Sequence, residues 1–202
     1  CENPSLEEKY PDMTWEERAQ ELCTVHDVKL KDFLTPEQID KIIDLKPEKY
    51  ICLRIVEDQH GHTEVMRMYN DNQKLPNEEE MSMVFNKFVA KSPMVAFADG
   101  YGARALDNYG ARGYYLVGYD KWFRHSLYNM GFDVKKLDLD NAADYDNVAV
   151  LVITDINEPL SETALKNIYS YIDKGGDLYI LSNYKRGQYL DPVLNYVGAK
   201  YY

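Results

Sequence analysis

The sequence predicts an α/β fold: a mainly parallel sheet flanked by helices, preceded by an N-terminal α+β hairpin section. Three observations carry this. From Ser92 onward, short apolar runs alternate with segments of helical period, the order expected of strands and their covering helices. Two of those runs, residues 94–97 and 148–153, lack polar alternation, as strands do when both faces are covered. A long Gly/Tyr/Arg loop, residues 99–113, directly follows the first of them, at the edge where parallel sheets bind ligands.

The elements follow in order. Thr14-Trp-Glu-Glu17 is a capping box that opens a short helix to about Cys23. Thr35-Pro36-Glu-Gln38 is a second, with proline at the first helical position, and its helix is expected to reach about Leu45. Residues 49–57 and 63–69 read as two strands of an antiparallel hairpin, joined through Gln59-His60-Gly61-His62. Pro76 and three glutamates then open a helix whose apolar face is Met81, Val84, Phe85 and Phe88.

Beyond the loop, residues 119–130 read as a helix with Trp122, Phe123, Leu127 and Met130 inward, stopped by Gly131. Residues 132–139 form the next strand, and residues 148–156 the most hydrophobic one, expected at the centre. Ser161 caps a helix carrying Leu165, Ile168, Tyr169 and Ile172, ended by Gly175-Gly176. A strand at 178–181 and a helix at 190–197, stopped by Gly198, complete the chain. The expected organisation is a helical segment at 1–48, a hairpin plus helix at 49–91 and the α/β part at 92–202.

Composition excludes several functions. The 202 residues carry 45% apolar and 28% charged side chains, ordinary for a globular protein. A net charge of −11 excludes nucleic acid as the expected partner and disfavours adhesion to anionic lipid. The 18 tyrosines suit exposed contact surfaces, and equally half-buried strands and helix ends. No apolar run approaches the ~20 residues of a membrane span. The chain does not begin with Met, so the expectation is a processed or excised piece. Cys1, Cys23 and Cys52 form neither a disulfide scaffold nor a zinc site, and Cys52, inside a strand, is expected to be buried. Cys1 is open to two readings: the acylated first residue of a surface lipoprotein, or an accident of where the piece begins.

The loop holds the candidate site. Gly100-x-Gly102-x-x-Ala105 is similar to a dinucleotide fingerprint, but the turn-forming residues 106–110 stand where a helix would have to start, so no nucleotide cofactor is expected. More distinctive is an internal echo, Tyr101-Gly-Ala-Arg104 and Tyr109-Gly-Ala-Arg112. Two arginines near strand ends can clamp an anionic group, with Tyr101 and Tyr109 as walls. The alternative is a surface flap whose arginines pair with surplus carboxylates. Gly100, Tyr101, Gly102, Arg104, Tyr109 and Arg112 are therefore the candidate binding residues. His60 and His62 lack a third ligand for a metal, and His125 shares its segment with Lys121 and Arg124. Paired acids such as Asp138 and Asp140 are expected by chance in so acidic a chain. No strand–elbow–helix holds a Cys or Ser nucleophile, so neither a metal nor a catalytic residue is assigned.

An ordered set of segments resembles the auxiliary extracytoplasmic domain of gliding-motility-type (ABC-2 type) ABC transporters. It comprises Asn77-Glu-Glu-Glu80 with its helix, Ser92-Pro-Met-Val-Ala-Phe97, Gly100-Tyr-Gly102-Ala-Arg104, Trp122-Phe-Arg-His-Ser-Leu-Tyr-Asn-Met-Gly-Phe-Asp133, and Val148-Ala-Val-Leu-Val-Ile-Thr-Asp155. Pro159-Leu-Ser161, Tyr171-Ile-Asp-Lys-Gly-Gly-Asp-Leu178, Tyr184-Lys-Arg186, Leu190-Asp-Pro192 and Gly198 follow in step. The resemblance covers residues from about 49 to the C-terminus. It implies a flavodoxin-like or class I glutamine amidotransferase-like fold without the catalytic cysteine. It also implies a place outside the cytoplasmic membrane, tethered through segments beyond this sequence.

The chain departs from the family loop at Tyr101, where His is usual, and at Ala103, where Glu is usual; Gly100, Gly102 and Arg104 match. The implied partners are ABC transporter subunits or transmembrane permease segments, with an unidentified cargo. The expected function is a non-catalytic binding or coupling domain of an export system. The alternatives are an amidotransferase-like or carbohydrate-processing hydrolase using carboxylates near Asp99 and Asp155, and a lipoprotein binding module anchored at Cys1.

Overall fold

The structure, a computed structural model, describes residues 8–69, 71–73, 75–183 and 185–200. Cys1 and Tyr184, which enter the readings above, lie outside the described residues. The chain divides into two compact units, with the boundary between Ile51 and Cys52. The hairpin and the helix after it fall in the same unit as the parallel sheet.

In the first unit, helix α1 spans Trp15–Val25 and carries the expected capping box: Thr14 Oγ1 accepts from Glu17 N, and Glu17 returns the bond to Thr14 N at 2.8 Å. Helix α2, Pro36–Asp40, has the same device between Thr35 and Gln38. It stops five residues short of Leu45. The Asp44 side chain accepts from Lys46 N at 3.0 Å, and Pro47 follows, so the backbone donors needed for another turn are diverted or absent.

The second unit opens with an antiparallel hairpin, β1 Leu53–Glu57 and β2 Thr63–Arg67, with Leu53 opposite Arg67 and Glu57 opposite Thr63. Asp58 organises the turn: its carboxylate accepts from His60 N and His62 N and meets the His62 ring. Cys52 precedes the strand and is exposed, correcting the expectation that it is buried. Helix α3, Glu78–Val89, is capped reciprocally by Asn77 and Glu80. Its buried face centres on Val84 and Glu80, whereas Met81 and Phe85 are exposed. The inward stripe is therefore rotated from the one read in the sequence, because Glu80 must turn inward to meet Arg124.

Four parallel strands follow: β3 Met94–Asp99, β4 Asp133–Asp138, β5 Val148–Thr154 and β6 Asp177–Leu181, in spatial order β4-β3-β5-β6. The chain is thus α/β, with a four-stranded parallel sheet flanked by helices and a small antiparallel sheet beside it in sequence. Alternate residues serve opposite faces. Ala96, Ala98, Leu137, Leu151 and Ile153 join helices α5 (Glu162–Asp173) and α6 (Asp191–Tyr196) through Ile168 and Val193. Val95, Phe97 and Val152 pack the other way, against Leu106, Tyr114, Tyr119 and Phe132. Ser161 caps α5 by accepting from Ala164 N at 2.9 Å. The helix closes at Gly175, φ +84, whose neighbour Gly176 lies flat against the Tyr171 ring.

The expected helix over residues 119–130 does not form. A four-residue helix α4, Tyr115–Gly118, is followed by turns. The reason is polar: the Asn129 amide reaches the carbonyls of Asp120, Lys121 and Phe123 at 2.9–3.2 Å, and Asp120 accepts from Trp122 N. These side-chain bonds take backbone groups that a helix would need. The read apolar stripe is only half-buried or exposed, while Arg124, Ser126 and Asn129 are buried. The final helix is likewise shorter than read, because a 3-10 turn at Gly187–Leu190 precedes it.

Ile153 is fully buried in the two-sided sheet. Ile153→Ala is expected to cost about 2–5 kcal/mol of unfolding free energy, measured by urea titration.

Candidate functional site

The carboxyl edge of the sheet has one topological switch point. From β3 the chain proceeds to β4 on one side, then returns to lay β5 on the other. The crevice between the ends of β3 and β5 is where open parallel sheets bind ligands. The flap, residues 99–113, starts at this point.

Its first turn is set by the backbone. Gly100, Tyr101 and Gly102 take φ values of +91°, +52° and +65° in succession. Left-handed geometry suits glycine and costs tyrosine about 1 kcal/mol. Tyr101 is held there by its surroundings: its carbonyl accepts from Asn157 N at 2.9 Å, and its hydroxyl donates to Asp140 at 2.5 Å. Ser161, the cap of α5, donates its hydroxyl to the other Asp140 oxygen. These two hydrogen bonds, Ser161 first, hold the Asp140 carboxyl below its ordinary pKa.

The flap then closes on itself. Ala105 bridges to Gly113, and Tyr114 N donates to Ala105 O at 2.9 Å. Asn108 accepts from Gly110 N through its side chain and from Tyr115 N through its carbonyl. A Cβ on Gly113 would stand 1.7 Å from the Asn108 carbonyl oxygen, so glycine is required by backbone contact there. Outside the flap, Lys136 bonds Asp107 at 2.6 Å and reaches Asp99 at 3.7 Å. That bond raises the lysine pKa and lowers that of Asp107.

Underneath lies a buried acid. Asp155, one residue past β5, has an 8% exposed side chain and a left-handed backbone, φ +52°. Arg104 Nε meets its Oδ2 at 3.3 Å, and Arg186 Nη1 lies 3.6 Å from the same oxygen. Asn183 N donates to Oδ1, and Asp155 N donates to the carbonyl of Leu181 at 2.7 Å. Arg104 also donates Nη1 to Ala111 O at 2.9 Å, tying the far side of the flap to its base. Arg112 is exposed and donates Nη2 to Gly102 O.

No protein-family model, curated protein or solved structure matches the chain.

The six residues read from the sequence therefore divide. Gly100 and Gly102 form the turn. Arg104 and Arg112 brace the flap at the switch point, through Ala111 O and Gly102 O. Tyr101 packs on the face covered by α5 and α6. Tyr109, exposed, packs on Tyr115 with the rings tilted by 32° and centroids 4.0 Å apart, and Tyr115 in turn contacts Tyr119, which packs on the opposite face of the sheet. The two tyrosines are not brought together. Cavities of about 530 and 430 Å³ open elsewhere, beside the starts of β5 and β6 and of β3 and β4 respectively. Sequence reasoning missed Asp155 as an internal counter-ion, Arg186 as its second partner and Asp140 as the acceptor for Tyr101. The position of Asp155 just past the most apolar strand was a usable signal; Arg186 stood out only as the end of the Tyr184-Lys-Arg186 segment in the resemblance.

Gly113→Ala is expected to lower the melting temperature and speed amide exchange across the flap, because backbone must move. Gly100→Ala, where nothing lies within 4 Å of the added carbon, should cost only the ~1 kcal/mol of its left-handed φ. A larger loss from Gly100→Ala than from Gly113→Ala would contradict this geometry.

The Asp140 bonds carry a pH signature. A depressed folded pKa stabilises above the ordinary aspartate value of 3.8 and loses that stabilisation as pH falls through the folded value. Tyr101→Phe should therefore be less stable than wild type at neutral pH, with the gap narrowing below pH 3.8. Thermal melts across pH 2–7 (a range of roughly five units) measure it.

Proposed function

We propose that this chain is a non-catalytic binding and coupling domain that engages its partner through the flap at the carboxyl edge of the sheet. The observation that carries the reading is the flap's construction. It is fixed at both ends and to the sheet, yet it leaves Tyr109 and Arg112 in solvent. A rigid loop that exposes an aromatic ring and a guanidinium fits a preorganised recognition surface, since little side-chain and backbone freedom remains to be lost on binding.

The partner in this proposal is a permease or associated subunit of an ABC-type export system, with the domain extracytoplasmic and tethered through the permease. The ordered similarity to auxiliary domains of gliding-motility-type ABC transporters supports this. The α/β fold with a parallel sheet is compatible with it. The carboxylates that a hydrolase would draw on are engaged otherwise: Asp99 faces Lys136, and Asp155 faces Arg104 and Arg186.

Affinity capture from membranes of the source cell, with wild type and Tyr109→Ala in parallel, tests the proposal. Transporter subunits should be enriched by the wild type and reduced at least roughly fivefold by the variant, at unchanged melting temperature. Absence of any transporter component from the wild-type capture would overturn the assignment.

A further inference from the structure

We infer that the crevice between the ends of β3 and β5 is an oxyanion site for a carboxylate or phosphate group, lined by Arg104, Arg112 and Arg186. This rests on the binding function proposed for the same edge, and it names the chemistry recognised there. Arg104 and Arg112 belong to the flap and Arg186 to the loop after β6, so two separate stretches of chain meet over Asp155.

The charge balance carries the argument. Arg104 and Arg186 share one buried carboxylate, Asp155, and Arg112 braces the same flap through Gly102 O. Two guanidinium groups thus share one acid, with a third held on the same flap, in a chain whose net charge is −11. The flap's own acids do not supply the balance, because Asp99 and Asp107 are taken by Lys136.

Donor capacity points the same way. A guanidinium has five N–H groups. Arg104 uses Nε on Asp155 and Nη1 on Ala111 O; Arg186 uses Nη1 on the Asp155 carboxylate and carbonyl; Arg112 uses Nη2 on Gly102 O. The side chains of Arg104 and Arg186 remain 33% and 30% exposed, so their outer edges meet solvent. A planar fork with free donors matches a carboxylate or phosphate oxygen pair. Asp155 fixes Arg104 and Arg186 from beneath and offsets part of the site's positive charge when it is empty.

The test is an amide-shift titration of the ¹⁵N-labelled chain with inorganic phosphate and, separately, with succinate. Chloride at matched ionic strength is the control, because exposed charge contacts are screened by salt. Saturable shifts at Gly102, Arg112, Gly113 and Asn183 are expected with at least one of the two anions. The anion that saturates at lower concentration identifies the oxyacid class.

Arg112→Ala should weaken binding about tenfold. Asp155→Asn, which removes the competing negative charge, should tighten it by about the same factor. If Asp155→Asn does not fold, Arg186→Lys, which keeps the charge and loses the fork, should weaken binding several-fold. Shifts that follow the chloride control, or that are equal in wild type and Arg112→Ala, would overturn the site. The two proposals fail separately. Transporter capture without a saturable anion response sinks the oxyanion site alone, and anion binding without capture sinks the coupling function alone.

Discussion

One buried carboxylate organises the carboxyl edge. Asp155 joins β5 to the β6 loop through its own N–H and through Asn183 N, and to the flap through Arg104. A carboxylate this deep costs several kcal/mol unless it is paired and hydrogen-bonded. The surrounding chain is therefore held to whatever geometry brings partners to it. Arg104 can satisfy Asp155 only if the backbone reverses at Gly100–Gly102, and that reversal is what lifts the flap across the switch point. Asp155 itself takes a left-handed backbone, φ +52°, and its carboxylate meets Arg104 and Arg186.

A second polar node does comparable work between the hairpin, helix α3 and the turns before β4. Arg124 chelates Asp71 through Nε and Nη2 at 2.8 and 3.0 Å, pairs with Glu80, donates to Gln73 O and stacks over Tyr69. Burial and the neighbouring Glu80 raise the Tyr69 pKa to about 12, so its ring stays neutral beneath the guanidinium. This node explains why the segment from Leu53 to Val89 falls in one compact unit with the sheet. It also explains the broken helix at 119–130: an arginine, a serine and an asparagine are needed inward, and apolar periodicity yields to them.

The division between what was legible and what was not follows from these nodes. Strands made of continuous apolar residues, such as Val148–Thr154, and helices opened by reciprocal caps at Thr14 and Asn77 or by the single serine cap at Ser161, are local facts of the sequence. The parallel order followed from their alternation. The loop was legible as a candidate site because glycines and arginines cluster after a strand. The partners of those arginines were not, because Asp155 lies 51 residues from Arg104. The burial of Arg124 depended on Glu80 and Asp71, 44 and 53 residues away. Periodicity carries no information at such separations. Tyr101 and Tyr109 look equivalent in their repeated tetrads, yet Tyr101 packs on the face under α5 and α6 while Tyr109 is exposed at the tip against Tyr115.

The flap stores its shape in main-chain reversals and in contacts at its base: Tyr101 against Asp140, Arg104 against Asp155, and Gly113 under Asn108. Its tip residues Tyr109, Ala111 and Arg112 hold their positions without lending a buried side chain to the core. Scaffold and exposed tip are thereby decoupled. Substitutions at the tip can change the presented surface while the cassette keeps its pose, so this surface is free to diverge faster than the sheet that bears it.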